Sequence, residues 1–139
     1  MRITLTFMCI ILSTFAYSQN TFSYLGPLIL SNNTPISFSL ELQEENGIVN
    51  GYSITNINTL DETKSEISGL YFKSDNSFQL QETQILQTSS EAPLNTFCYI
   101  NMNLAFKGKF GSKRLEGTFI GNFLDSTQCA SGKIILMEE

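Results

Sequence analysis

From residue 97 to residue 106 the chain alternates. Cys98, Ile100, Met102, Leu104 and Phe106 fall on one side, and Tyr99, Asn101 and Asn103 on the other. Residues two apart share a face only in extended chain, so this segment is a strand with one face for a core and one for water. The same period places Ile36, Phe38, Leu40 and Leu42 opposite Ser37, Ser39 and Glu41. Glu45-Asn46-Gly47 follows directly, and Asn-Gly between alternating runs marks a tight hairpin. Further strands are expected over 21–30, 48–57, 66–73, 77–86, 114–123 and 132–137, with Ile48, Tyr52 and Ile54 sharing one face. Ser74-Asp75-Asn76 is a turn, and residues 87–93 form the longest loop signal. The polar stretch 58–65 has room for one helical turn, because Thr59 and Glu62 have capping-box spacing. No segment sustains a 3.6 period. Short strands joined by turns predict an all-β chain: an antiparallel up-and-down β-barrel, or a barrel-like sandwich, of about eight strands.

Residues 1–18 are expected to lie outside that fold. Arg2 precedes an uncharged, mostly apolar run over 3–15, and Ala16-Tyr17-Ser18 supplies the small residues a signal peptidase accepts. The run is shorter than the ~20 residues a membrane helix needs. Cys9 sits inside it after Phe7-Met8, without the small residues of a lipobox. Cleavage after Ser18 makes Gln19 the first mature residue and residues 19–139 a single β domain. That domain has 121 residues, seven basic and 13 acidic, for a formal net charge of −6. The expected destination is outside the cytoplasm: periplasm, cell surface or medium. The acidity argues against general nucleic-acid binding.

Removing the leader also leaves two cysteines, Cys98 and Cys129. A pair of cysteines in an exported chain reads as one disulfide. The strand map agrees. If consecutive strands run antiparallel, both cysteines fall at the same end of the structure. Two thiolates in a chain with no histidine do not close a zinc site, and no cofactor is expected. The lack of histidine also removes Ser-His and Cys-His nucleophile pairs.

Several short motifs carry a family resemblance. Ile67-Ser68-Gly69-Leu70-Tyr71 is followed by Phe78, Leu80 and Glu82 at alternate positions. Phe97-Cys98-Tyr99-Ile100, Leu115-Glu116-Gly117 and the spacing Cys129, Gly132, Ile134, Leu136 come later. Together they resemble uncharacterised small secreted β-barrel-like proteins of the Bacteroidota. The resemblance implies export and a β fold but no assigned activity. The chain does not look like a lipocalin or an avidin, since it has no tryptophan to place at or near the first strand. Gly51, Gly69 and Gly117, each in an aromatic-containing strand, read as devices of curvature.

Four features are candidates for function. Between Arg2 and Glu41 no residue is charged, and Phe22, Tyr24, Leu25, Leu28, Ile29 and Leu30 fall in that stretch; it is either core strand or an exposed edge. Lys107, Lys109, Lys113 and Arg114 gather four of the seven mature basic residues into a candidate partner contact, whereas residues 41–91 carry nine acids and two lysines. Among the carboxylates, Glu82 continues the Phe78–Leu80 face and points inward, while Glu116 lies opposite Leu115, Gly117 and Phe119. Asp125-Ser126-Thr127 resembles a short bacterial O-glycosylation pattern, and Asn32-Asn33-Thr34 is a formal sequon for a eukaryotic host.

These observations favour a secreted or periplasmic non-catalytic binding protein, its partner a protein, a glycan or a small apolar ligand. An inhibitor of a secreted hydrolase is the alternative, because small acidic barrels suit basic enzymes. Its Ser68-Gly69-Leu70-Tyr71 is one residue short of the Ser-Gly-x-x-Tyr of lysozyme-inhibitor barrels. A carboxylate-dependent hydrolase ranks below both.

Overall fold

The structure is a computed structural model that describes residues 19–107 and 114–139. The leader, Lys109 and Lys113 lie outside the described residues. Eight strands run in order: β1 (Asn20–Leu30), β2 (Pro35–Glu45), β3 (Ile48–Thr55), β4 (Thr63–Phe72), β5 (Ser77–Thr88), β6 (Tyr99–Lys107), β7 (Arg114–Asn122) and β8 (Gln128–Glu138). Each pairs antiparallel with the next, and β8 returns to β1, so the sheet is a closed up-and-down barrel rather than a sandwich. Closure leaves β1 with a neighbour on both sides. The described part of the charge-free stretch in β1, Asn20–Leu30, is therefore barrel wall and not a free edge.

The period of two settles which side chains fill the barrel. Phe38, Leu40 and Leu42 of β2, Ile100, Met102 and Leu104 of β6, and Ile134 and Leu136 of β8 are all buried. One departure is informative. Ile48, Tyr52 and Ile54 do share a face of β3, but it is the outer one; Val49 and Ser53 are the buried positions. The Asn46-Gly47 turn fixes the β2–β3 register so that Leu42 pairs with Gly51 and Leu40 with Ser53. Outside the barrel, the Tyr52 ring is covered by Lys64 Nζ, 4.0 Å from its centroid.

Inward glycines let the wall bend this tightly. A Cβ on Gly51, Gly69 or Gly117 would sit 1.8–2.0 Å from a carbonyl oxygen of the adjacent strand. Only a residue without a side chain allows that approach.

The two ends of the barrel differ. At the base, near the β2–β3 and β4–β5 turns, Phe22, Tyr24, Tyr71, Phe78 and Phe106 stack with ring centroids 4.9–6.2 Å apart. These rings close the base. Glu44 caps the adjacent turn, accepting from Gly47 N–H at 2.9 Å and from Asn20 Nδ2 at 2.8 Å, and those bonds hold its carboxyl below the usual range. At the opposite end, the mouth, no such plug is present among the described residues.

The expected helical turn in the β3–β4 connection does not form. Thr59 Oγ1 donates to Asn56 O and the Glu62 carboxylate accepts from Asn58 N–H, so both side chains stabilise a loop of turns instead. Strand β4 consequently starts at Thr63, three residues before the expected Glu66. A short 3-10 helix over Leu94–Thr96, unsignalled in the sequence, sits in the β5–β6 connection.

Candidate functional site

The mouth opens onto a cavity of about 310 Å³. Its origin lies in the wall between β5 and β6. The ladder joining them covers only Ser77–Gln81 of β5, opposite Asn101–Ala105 of β6. Beyond Gln81, β5 stays on β4 but carries two extra residues: Glu66 faces Gln84 while Ile67 faces Glu82, and Lys64 faces Gln87 while Ser65 faces Ile85. Each such bulge bends the strand and resets which positions point inward. The inward series therefore runs Phe78, Leu80, Glu82 and then Ile85, which lines the cavity. The strands part, and the loop 89–98 covers the gap, contributing Ser90, Ala92, Thr96 and Phe97 to the cavity wall.

Glu82 sits where the ladder stops, and it is buried. Its Oε1 accepts from Ile100 N–H at 2.8 Å, taking the place of the missing strand carbonyl. Its Oε2 accepts from Ser53 Oγ at 2.6 Å, and the Ser65 hydroxyl also bonds to it. Ser53 on β3, Ser65 on β4 and Glu82 on β5 thus make a polar patch inside the barrel, with Thr63 beside it. Above this patch the wall is mostly apolar: Leu28, Leu30, Ile36, Phe119 and Ala130. Burial pushes the Glu82 carboxyl above the ordinary value of 4.5, and its hydrogen bonds oppose that only in part.

That raised pKa has a sign for stability. The unfolded chain releases this proton near 4.5, whereas the folded barrel holds it to higher pH. Stability falls as pH climbs through that interval, because the folded state binds more protons than the unfolded one. Glu82→Gln keeps the shape and abolishes the charge. We expect it to raise the melting temperature by a few degrees at about pH 8 and to match the parent near pH 4. Thermal melts of the pair across pH check this, and a variant less stable at every pH contradicts it.

Cys98 and Cys129 form the disulfide, with Cα atoms 6.0 Å apart. It spans β7 from β6 to β8. A Cβ on Gly121 would lie 2.2 Å from Cys98 Sγ, so the bridge crosses the inner face of β7 at a position with no side chain. Cys129 is the extra residue of a bulge, between Gly121 facing Ala130 and Asn122 facing Gln128. Cys98 lines the cavity, which places the bridge at its rim.

The remaining candidates lie elsewhere. Lys107 and Arg114 face each other at the ends of β6 and β7, at the base and away from the mouth. Arg114 Nε contacts Glu116 Oε1 at 3.0 Å on the outer wall, so Glu116 is outside the barrel and does not join Glu82. Ser68, Gly69, Leu70 and Tyr71 are consecutive strand residues of β4, with Tyr71 donating to Asn76 Oδ1 at 2.8 Å. Asp125, Ser126 and Thr127 form the exposed β7–β8 turn, where Asp125 accepts from Thr127 N–H and its carboxyl is held below the usual range. Asn32 accepts from Thr34 N–H in the β1–β2 turn. A groove on the outer wall, between Ser68 and Asn103, is formed by side chains standing on the sheet and encloses nothing. Among the described residues, no three His, Cys, Asp or Glu side chains gather to hold a metal ion.

Alternation made Glu82 legible as an inward carboxyl. Ser53 and Ser65 carried no such signal, since serine is as common outside a barrel as in. The cavity itself had none, because it depends on where the β5–β6 ladder ends. No family model matches the chain, and searches of curated proteins and of solved structures find no similar one.

Proposed function

We propose that this chain is an exported, non-catalytic binding protein whose barrel takes a small, largely apolar molecule through its open mouth. One observation carries the reading: an apolar cavity of about 310 Å³ with a buried polar patch on its floor. Ligand sites run from ~300 to 1,000 Å³ and combine mostly apolar walls with a few placed polar groups. The base is filled by rings, so the opening at one end is not matched at the other. The non-catalytic part rests on Glu82 serving as acceptor to the barrel's own Ser53 and Ile100 and on Glu116, the other candidate carboxyl, being paired outside.

Export is supported by the Cys98–Cys129 disulfide. No helix of the described residues is long and apolar enough to cross a membrane. The outer wall over β5 and β6 presents Gln79, Gln81, Asn101 and Asn103, all exposed, where a lipid-facing barrel needs an apolar band.

The test uses a neutral, environment-sensitive dye, N-phenyl-1-naphthylamine. Fluorescence should rise on binding to the natural protein and saturate. Ala130→Leu places bulk in the cavity at a half-buried position. It should weaken binding by at least about tenfold, while core-like repacking costs only ~1–3 kcal/mol of stability. Equal binding by the folded variant, or no binding by the natural protein, contradicts the reading.

A further inference from the structure

The floor of the cavity carries a charge preference. Glu82 receives Ser53 Oγ–H at 2.6 Å, Ile100 N–H at 2.8 Å and the Ser65 hydroxyl. A carboxylate has about four lone-pair sites, so three donors leave one direction for a ligand. Asp61 and Tyr99 are the other titratable side chains on the cavity wall, and among the described residues no lysine or arginine lines it. An anionic head group would therefore meet two carboxyls and no counter-charge. A hydroxyl can donate one hydrogen bond to Glu82. An ammonium donates and also brings the positive charge that the cavity wall lacks.

We propose that the cavity selects amphiphilic primary amines, with the ammonium head donating to Glu82 and a short apolar body lying against Leu28, Ile36 and Phe119. This rests on the binding function proposed above and adds the chemistry of the head group. Burial disfavours the ionised form of this carboxyl, and with no lysine or arginine among the described residues of the wall, an ammonium beside it would offset that cost. Two unlike demands then meet in one ligand: an apolar surface for the walls and a cation for the floor. Alkylamines and arylalkylamines carry both features and are the matching class.

Three probes with the same alkyl chain separate the demands: octylammonium chloride, 1-octanol and sodium octanoate. Calorimetric titration of the natural protein near neutral pH should rank them in that order. Octylammonium should bind at least about tenfold tighter than octanol, as expected for a charge-assisted hydrogen bond over a neutral one. Glu82→Gln should weaken octylammonium by at least about tenfold and change octanol by less than about threefold. Octanol equal to or tighter than octylammonium overturns the proposal, as does an unchanged octylammonium affinity in Glu82→Gln. The ranking on the natural chain decides the matter even if that variant does not fold. Failure of all three probes in a protein that still binds the naphthylamine dye overturns the head-group assignment alone. Failure of the dye as well removes the binding function on which it rests.

Discussion

Replacing Cys98 or Cys129 with alanine is expected to lower stability by about 3–4 kcal/mol, a fall of roughly 10–20 °C in melting temperature for a domain of this size. The cysteines are 31 residues apart, and releasing that loop returns conformational entropy to the unfolded chain. The effect is local as well. The bridge crosses β7 at Gly121 and holds the β8 bulge at the cavity rim, where the β5–β6 ladder has already ended. At that end β6 keeps a ladder with β7 and the Ile100–Glu82 bond to β5, and the bridge ties it further, to β8. Urea or thermal melts with and without reductant measure this. A loss below about 1 kcal/mol would mean that the unfolded chain is compact without the bridge.

Phe78→Ala should be comparably severe, costing about 3–5 kcal/mol. Phe78 has no solvent exposure and stands at the centre of the base. Its ring lies 5.7 Å from those of Phe22 and Phe106 and 4.9 Å from that of Tyr71. Removing it leaves a void that three flanking rings, anchored on β1, β4 and β6, cannot close without leaving their rotamers. Tyr24 shows how dry this end is: burial, aided by Glu138 and Tyr71, pushes its phenol up to about 12. Leu94→Ala is the control. Leu94 is 57% exposed on the 3-10 turn, and its loss should stay within about 0.5 kcal/mol. A denaturant midpoint for Phe78→Ala close to that of Leu94→Ala would show that the base is not packed as described.

The contrast between β6 and β5 shows what a sequence can and cannot convey here. Strand β6 alternates without interruption, so its pattern alone identifies the buried set Ile100, Met102 and Leu104. Strand β5 alternates through Glu82 and then gains Thr83 and Leu86 as extra residues, after which a strict period of two assigns the wrong face. Bulges are properties of a pair of strands, and a single strand's sequence does not display them. Strand β3 fails differently. Its more apolar side is the outer one, because register is set by the turn before it and by its partner. Ser53 is thereby carried inside, and it is there that Glu82 finds a donor. The disulfide was legible because it follows from counting cysteines and from strand direction. The cavity was not, since it arises from the length of one ladder and the loop that covers its end. Closure of the barrel likewise depends on β1 meeting β8 across the whole chain, beyond the reach of any local pattern.

Titrating isotopically labelled protein with 1-octanol, followed by amide chemical shifts, reports where a small apolar molecule goes. The Ile100 amide is the most telling probe, because its N–H donates directly to Glu82. Shifts should appear first at Ile100, Ser65, Ile85, Phe119 and Ala130 around the cavity and should saturate together. Phe78 and Phe106 at the base should stay in place. Shifts confined to the outer wall at Gln79, Gln81, Asn101 and Asn103, or none with either octanol or the naphthylamine dye up to their solubility limits, would contradict a ligand-binding barrel.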